Sequence, residues 1–279
     1  MSSIKSTTPP VDAPAAPLSG FQQISQVGQK KVKILAAKPR SYFVSSVLAG
    51  FYIGLGLLVA MVAGQLMSAQ ENLQALQKFA FSGIFGVGLT LVLLVGADLF
   101  TGTNMYAGTA FFNKKIQMGE MAKLFLVCYL ANFLGSLLMA TLALGTSLSP
   151  AMLTYLGSLA AGKASGSFLA IFVKGILCNI LVCCGIWCYM VTKDKTPAFY
   201  GMYLCVFAFV LAGFEHSVAN MTLFSMAGLV KIFQPDVAAA ASYPTWVGMG
   251  KNLLACTLGN MTGGIGFVSY LYYLVDSNR

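Results

Sequence analysis

The sequence predicts an all-α protein that crosses a lipid bilayer, and three observations predict it. Of its 279 residues 57% are hydrophobic and 9% charged, with a mean hydropathy of +0.77. A soluble domain carries about 25% charged residues, so water could not solvate this surface. Five windows of 18 or more mostly apolar residues stand out, and a sixth emerges once polar interruptions are allowed; about 20 such residues span the hydrocarbon as a helix. The alternation over about ten residues that marks a transmembrane strand is not visible.

The net charge of +9 is distributed in a way that argues against nucleic acid as a partner. Lys5, Lys30, Lys31, Lys33, Lys38 and Arg40 precede the first span, Lys114 and Lys115 lie between spans two and three, and Lys193 and Lys195 between four and five. These are alternate loops, which the positive-inside rule assigns to the cytoplasm. Both termini are then inside, and Arg279 agrees. A nucleic-acid protein would gather its charge on one face instead. All seven cysteines fall inside spans, where they read as small packing residues; Cys184 and Cys188 share a helix face, but one isolated pair makes a poor metal site. With a single histidine and no nucleotide motif or nucleophile triad, no enzyme activity, metal or cofactor is expected.

In chain order, residues 1–20 are rich in Ser, Thr, Pro and Ala and are expected to be disordered, with no cleavable signal peptide. Residues 21–38 space apolar positions three or four apart, as a helix lying along the inner membrane surface would. The division is a cytoplasmic segment, 1–40, and a transmembrane domain, 41–279. Spans are predicted at 43–66, from 79 to 112 with a break at GADLFTGTN (96–104), and at 119–145. After an outer loop of small residues come 165–192, then 198–232 with a break inside FVLAGFEHSVANM (209–221), and 247–275. Non-helical backbone at membrane depth survives only where it lines a cavity or is buried in protein.

The two broken spans hold matching places in two halves, about 43–145 and 165–275. GADLFTGTNM (96–105) and GFEHSVANM (213–221) both run from Gly through an acid to Asn-Met. LANFLG (130–135) and LGNMTG (258–263) share Leu, Asn and Gly, and GFYIG (50–54) aligns with GILCN (175–179) on its leading glycine. Three spans per half require the second half to be inverted, and paired broken helices in inverted repeats point to a transport site at the midplane.

His216, inside the second break, is the leading candidate. Ionisable groups in a bilayer usually line a pathway, and an imidazole can donate a hydrogen bond to an anion or, when charged, pair with it. A histidine merely satisfied by a backbone carbonyl is the bland alternative. Asp98 and Glu215, at equivalent positions, read as supporting groups that must find donors, with cation binding as the competing role; Asn104 and Asn220 close the two motifs as further supports. Thr101 either turns its hydroxyl toward the lumen, opposite His216, or caps a helix. Asn179 and Lys174, five positions apart, stand about 140° apart around one helix. Asn179 is expected to support the histidine, and Lys174 either to charge an entrance or to snorkel to the interface. Phe85, Leu89, Leu99, Phe100, Val182 and Phe209 would form the oily remainder of the lumen.

At these residues the chain resembles the formate/nitrite transporter family. GADLFTG (96–102) and GILCNILVC (175–183) are similar to its two signatures, and GFEHSVANM (213–221) to its central histidine segment. The resemblance covers about residues 20–275. It implies a six-span, aquaporin-like protomer in a homopentamer, each protomer with its own pore. It implies His216 as the central histidine, Thr101 as the threonine of the first break and Asn179 as the asparagine of the fourth span. Phe85, Leu89, Phe100 and Phe209 would be constrictions, and Lys174 a vestibule lysine. KPRSYFVSSVLAGFYIGLG (38–56), FVKGILCN (172–179) and HSVANMTLF (216–224) resemble the nitrite-channel branch. The expected function is channel-like transport of nitrite or formate across the plasma (inner) membrane, with proton coupling left open. Hydrosulfide or lactate are alternative substrates. A neutral-solute channel of aquaporin type is the other alternative, although it would call for paired Asn-Pro-Ala motifs that are missing here. An ammonium channel would want two pore histidines, and a membrane scaffold would leave the polar breaks without purpose.

Overall fold

A backbone in hydrocarbon must satisfy its own hydrogen bonds, and the apolar runs do so as helices. The computed structural model describes residues 18–277, among which no strand occurs. Most of the Ser/Thr/Pro-rich start, with Lys5, and Arg279 at the other end lie outside the described residues. The order is α1 (Gly20–Ala37), α2 (Pro39–Ser68), a 3-10 turn (Glu71–Leu76), α3 (Gln77–Val95), α4 (Phe100–Phe112), α5 (Met118–Gly145) and α6 (Pro150–Ser165). There follow α7 (Phe168–Val191), α8 (Lys195–Leu211), α9 (Ser217–Phe233), α10 (Pro235–Ala240), α11 (Trp246–Met261), a π-helical stretch (Thr262–Tyr270) and α12 (Leu271–Ser277). By length and composition, α2, the continuous Glu71–Val95 stretch, α5 and α7 can each cross a membrane.

Start signals set many of the boundaries. Ser19, Ser149, Ser167, Asp194 and Thr245 each accept a hydrogen bond from a first-turn N–H, which satisfies one of the orphan donors at a helix N-terminus. Proline opens α2, α6 and α10, where its missing N–H is no loss.

One expected loop is helical. The small-residue stretch after the third span contains α6, which begins at the Ser149–Pro150 signal and buries Met152, Leu156 and Ala160 along one face at intervals of four. Its many Ala and Gly residues lower its hydropathy without lowering its capacity to pack. Residues 20–37 form α1, whose buried side chains (Phe21, Ile24 and Leu35 among them) face protein, with α4 as its main neighbour.

Two sets of helices form the frame. α2 packs against α3 and α5, and α7 packs against α8 and α11. The helix following each break crosses to the other set: α4 lies on α7 and the π-helical stretch, while α9 lies on α5 and α2. Glycines permit the tightest crossings. A Cβ on Gly135 would collide with the carbonyl of Val47, and one on Gly263 with the carbonyl of Ile176, the small-residue packing that membrane helices use in place of a hydrophobic drive.

Candidate functional site

Each crossing begins at a break. α3 ends on Gly96 in the left-handed region (φ 90°), where the N–H groups of Gly96 and Ala97 both reach the Val92 carbonyl, at 3.1 and 2.8 Å. α8 ends in the same manner at Gly213 (φ 74°), and Phe214 N–H reaches the Phe209 carbonyl at 3.0 Å. Glycine suits both positions because a side chain is strained there. Two or three residues of extended chain follow, ending in Leu99 (φ −92°, ψ 131°) and His216 (φ −109°, ψ 114°). The first break is shorter than the sequence suggested. Helix resumes at Phe100, so Thr101–Asn104 are helical.

Two asparagines hold these extended segments. Asn132 on α5 donates to the carbonyls of Ser46 (2.7 Å) and Asp98 (3.0 Å), and its side-chain oxygen accepts from Phe100 N–H (2.9 Å). Asn260 on α11 donates to the carbonyls of Gly175 (2.8 Å) and Glu215 (2.9 Å) and accepts from Ser217 N–H (2.9 Å). Each side chain thereby supplies a buried break with the partners that helix would otherwise give. The correspondence also corrects the alignment of the halves. It pairs Ser46 with Gly175, and the glycine collisions pair Val47 with Ile176, four residues out of step with the pairing of Gly50 to Gly175.

The two acids of the breaks are buried, and each faces a lysine. Asp98 pairs with Lys31 of α1 and accepts from the Ser45 hydroxyl at 2.7 Å. Glu215 accepts from Lys163 of α6 (3.0 Å), from Asn220 (2.6 Å) and from Asn252 (3.3 Å). An unpaired buried carboxylate would be very costly, so both acids are anchored and neither presents a free negative charge. Lys163 also donates to the carbonyl of Phe214 at 3.1 Å.

His216 follows Glu215 and caps α9: its Nδ1 accepts from Ala219 N–H at 3.2 Å. A neutral ring accepting at Nδ1 carries its hydrogen on Nε2. Nε2 lies 3.2 Å from Thr101 Oγ1, so the ring donates to the threonine, whose own hydroxyl hydrogen is left to point elsewhere. Phe209 stacks on the imidazole with centroids 5.9 Å apart, and Phe85 meets Phe209 edge-on at 6.0 Å.

These rings form the floor of a cavity of about 360 Å³ lined by Phe81, Tyr155, Leu159, Lys163, Lys78 and Asn220 among others. Of the residues singled out in the sequence, Phe85, Phe209, His216 and Asn220 meet at this cavity, and Thr101 touches it through the histidine. Leu89, Leu99 and Val182 are buried outside its wall. Phe100 is too, and its ring packs on Tyr129 (4.9 Å) and Phe125 (6.1 Å) of α5.

Three expectations need correction. Asn179 does not reach the histidine; it donates to the carbonyls of Thr101 (3.3 Å) and Asn260 (2.7 Å), bracing the backbone under the threonine. Lys174 is exposed on α7 and lines no part of the cavity, which has Lys163 and Lys78 instead. Asn104 is fully buried, yet neither of its amide atoms has a hydrogen-bond partner, so it supports nothing. Sequence reasoning passed over Lys31, Lys163, Asn132, Asn252 and Asn260 as site residues. A signal for Lys163 was present: it is the one charge between Lys123 and Lys174.

Comparison with known proteins agrees with this architecture. The family model described as "Formate/nitrite transporter" matches residues 19–274. The chain is 34% identical over 243 residues to the "Nitrite transporter NirC" of Salmonella typhimurium, covering 86% of this chain and 85% of that protein. Among solved structures, an "FNT family ion channel" superposes with a TM-score of 0.81 at 30% identity, covering 92% of this chain and 98% of that one. A "Pentameric formate channel with formate bound" superposes with a TM-score of 0.74 at 28% identity, covering 86% and 99%. These relatives are channels and transporters rather than enzymes, and the chain, a membrane protein, belongs to the formate/nitrite transporter family.

Proposed function

We propose that this protein conducts small monovalent anions, nitrite first and formate second, past His216 at the middle of the membrane. The observation that carries the reading is the His216–Thr101 pair. With Nε2–H of His216 donating to its oxygen, Thr101 keeps a free hydroxyl hydrogen, beside an oily cavity whose charged lining residues, Lys78 and Lys163, are both cationic. A dehydrated anion needs donors, and this pair offers the Thr101 hydroxyl directly and the Nε2–H of His216 once it turns from the threonine oxygen to the anion. Phe85 and Phe209 strip water above it, with Leu89, Leu99 and Val182 packed below. The 34% identity to a nitrite transporter supports nitrite as the first choice.

In this reading α3/α4 and α8/α9 are the halves of two interrupted spans. With α2, α5, α7 and α11 they make six spans in two inverted repeats, aquaporin-like in plan. Residues 1–40 and both termini lie in the cytoplasm, the bilayer is the plasma membrane, and five copies assemble as in the pentameric relative. Asp98 and Glu215 set the shape of the breaks, and their lysines keep them from repelling the anion.

The role assigned to the ring is hydrogen-bond donation. Giving up the Nε2 proton would leave an imidazolate, and loading Nδ1 first would break its bond from Ala219 N–H. Any proton moving with the anion therefore comes at the expense of the α9 cap. Nitrite influx into proteoliposomes tests the reading: it should collapse in His216→Phe, and unaltered influx would overturn the site.

A further inference from the structure

Charge and apolar surface meet in a groove of about 500 Å³ between the starts of α2 and α5. Its two charged lining residues, Arg40 and Lys123, are both cationic, and among the described residues no acid stands in its wall. Each cation is followed four residues later by a valine that also lines the groove, Val44 after Arg40 and Val127 after Lys123. Four residues return a helix to the same face about 6 Å further along. The cations therefore stand near the helix starts, and the valines about one turn deeper in the spans. Phe43 widens the apolar wall beside Val44, the two being 40% and 55% exposed. Leu35 and Pro39, on either side of the α1–α2 bend, complete it.

Neither cation is engaged within the fold. Among the described residues Arg40 and Lys123 have no ion pair and no hydrogen bond, and both are exposed. Glu120, the acid nearest Lys123 along the chain, accepts from Gln117 N–H at 2.7 Å and so closes the start of its own helix. A second cleft, between α1 and the α7–α8 turn, shows the contrast. It too has two lysines, Lys30 and Lys195, but Lys195 donates to the carbonyls of Tyr189 (2.8 Å) and Thr192 (3.2 Å) and serves the end of α7.

We propose that the α2–α5 groove binds an anionic phospholipid, with its phosphate between Arg40 and Lys123 and an acyl chain along Phe43, Val44 and Val127. A soluble anion would match the charges and leave the apolar wall bare. A zwitterionic lipid would cover the wall and bring no net charge to the cations. An anionic lipid does both, and basic pockets between helices at a membrane interface take such headgroups. Arg40 and Lys123 merely snorkelling among bulk headgroups would give no saturable site. The groove lies apart from the His216 cavity and shares no lining residue with it, so its occupancy does not depend on which anion the pore carries.

The test uses the full-length protein, stripped of lipid in a non-ionic detergent and titrated at low salt with dioleoyl phosphatidylglycerol or dioleoyl phosphatidylcholine. Native mass spectrometry counts the lipid bound per chain. A single phosphatidylglycerol should fill first, about 25-fold tighter than phosphatidylcholine, at about fivefold per matched charge. Arg40→Gln and Lys123→Gln should each cut that preference about fivefold, and the double variant should abolish it. Lys123→Arg should keep it. Lys193→Gln, an equal loss of charge on an exposed bend that lines neither cleft, should keep it too. All five sit at exposed positions and should melt like the wild type, and the preference should fade at about 0.5 M salt. Equal affinity for the two lipids in the wild type, or a preference that survives in the double variant, overturns the site. Glycerol phosphate, a headgroup without chains, should compete at least about 100-fold more weakly; competition at equal concentration would make the ligand a soluble phosphate and sink the lipid. If the double variant changes the mass of the assembly while the wild type retains no lipid, a second copy covers the groove and the proposal fails.

Discussion

The two breaks share one backbone and differ in the residue they present. In each, a helix ends on a left-handed glycine, an acid follows in extended chain, and an asparagine from a neighbouring helix binds the carbonyl of the acid and the N–H two residues on. The residue between them, before the next helix begins, is Leu99 in the first break and His216 in the second, with nearly the same φ and ψ. Leu99 makes no capping bond with its side chain, whereas His216 caps α9 and meets Thr101. The two breaks share their backbone bonding, and the histidine is where they part. Thr101 comes from the first turn of α4, just after the first break, so its contact with His216 joins the two breaks.

The largest effect should come from removing what the breaks have in common. Asn132→Leu and Asn260→Leu each remove three hydrogen bonds to buried backbone groups, at about 1–2 kcal/mol apiece. A loss of about 3–6 kcal/mol in either variant should lower the melting temperature of the detergent-solubilised protein by about 10 °C. Similar losses would support the equivalence of the two clamps. A drop confined to one variant would break it.

Next comes the difference itself. His216→Leu makes the second break a copy of the first. Losing the cap costs about 1 kcal/mol of stability, so the protein should fold, while nitrite influx should fall about 100-fold with the loss of a charge-assisted donor. His216→Asn keeps a good capping residue but is too short to reach Thr101. It should melt like the wild type and transport like the leucine variant. Recovery of transport in the asparagine variant would mean that the cap, and not the Nε2–H, is what matters.

A smaller effect separates the two acid–lysine pairs. Removing Lys31 leaves Asp98 with the Ser45 hydroxyl, whereas removing Lys163 leaves Glu215 with both Asn220 and Asn252. Lys31→Met should therefore cost more stability, about 3 kcal/mol against about 1–2 kcal/mol for Lys163→Met. Transport should respond in the opposite order, because only Lys163 lines the cavity, where its loss uncovers the charge of Glu215. Melting curves and nitrite uptake on the same two preparations would reveal the crossing, and equal ranking in both assays would argue against it.

Much of this comparison was legible in the sequence. Hydropathy marked the apolar spans, the polar islands marked the breaks, and the paired Gly-acid-Asn-Met runs marked their likeness. What sequence could not resolve was register and direction. Gly50 and Gly175 look equivalent as leading glycines, but the asparagine clamps pair Gly175 with Ser46, because each clamp binds a backbone carbonyl whatever side chain stands there. Lys174 lies near Asn179 along the chain yet faces outward, and the lysine that reaches Glu215 arrives from α6, a helix whose small residues made it read as loop. The partners of a buried acid depend on which helices cross it, which no local pattern records.

The smallest predicted effect concerns the point at which the two motifs stop matching. Asn220 closes the second motif by donating to Glu215, whereas Asn104 closes the first with neither amide atom bonded. Burying an amide without partners is unfavourable, and replacing it with an apolar side chain of similar size removes that cost. Asn104→Leu should accordingly leave the melting temperature unchanged or raise it by a few degrees, about 1 kcal/mol. Asn220→Leu should instead lower it, by stripping a donor from a buried carboxylate. If Asn104→Leu proves as damaging as Asn220→Leu, then Asn104 has a partner among groups such as an internal water, and the two motifs are more alike than their hydrogen bonds indicate.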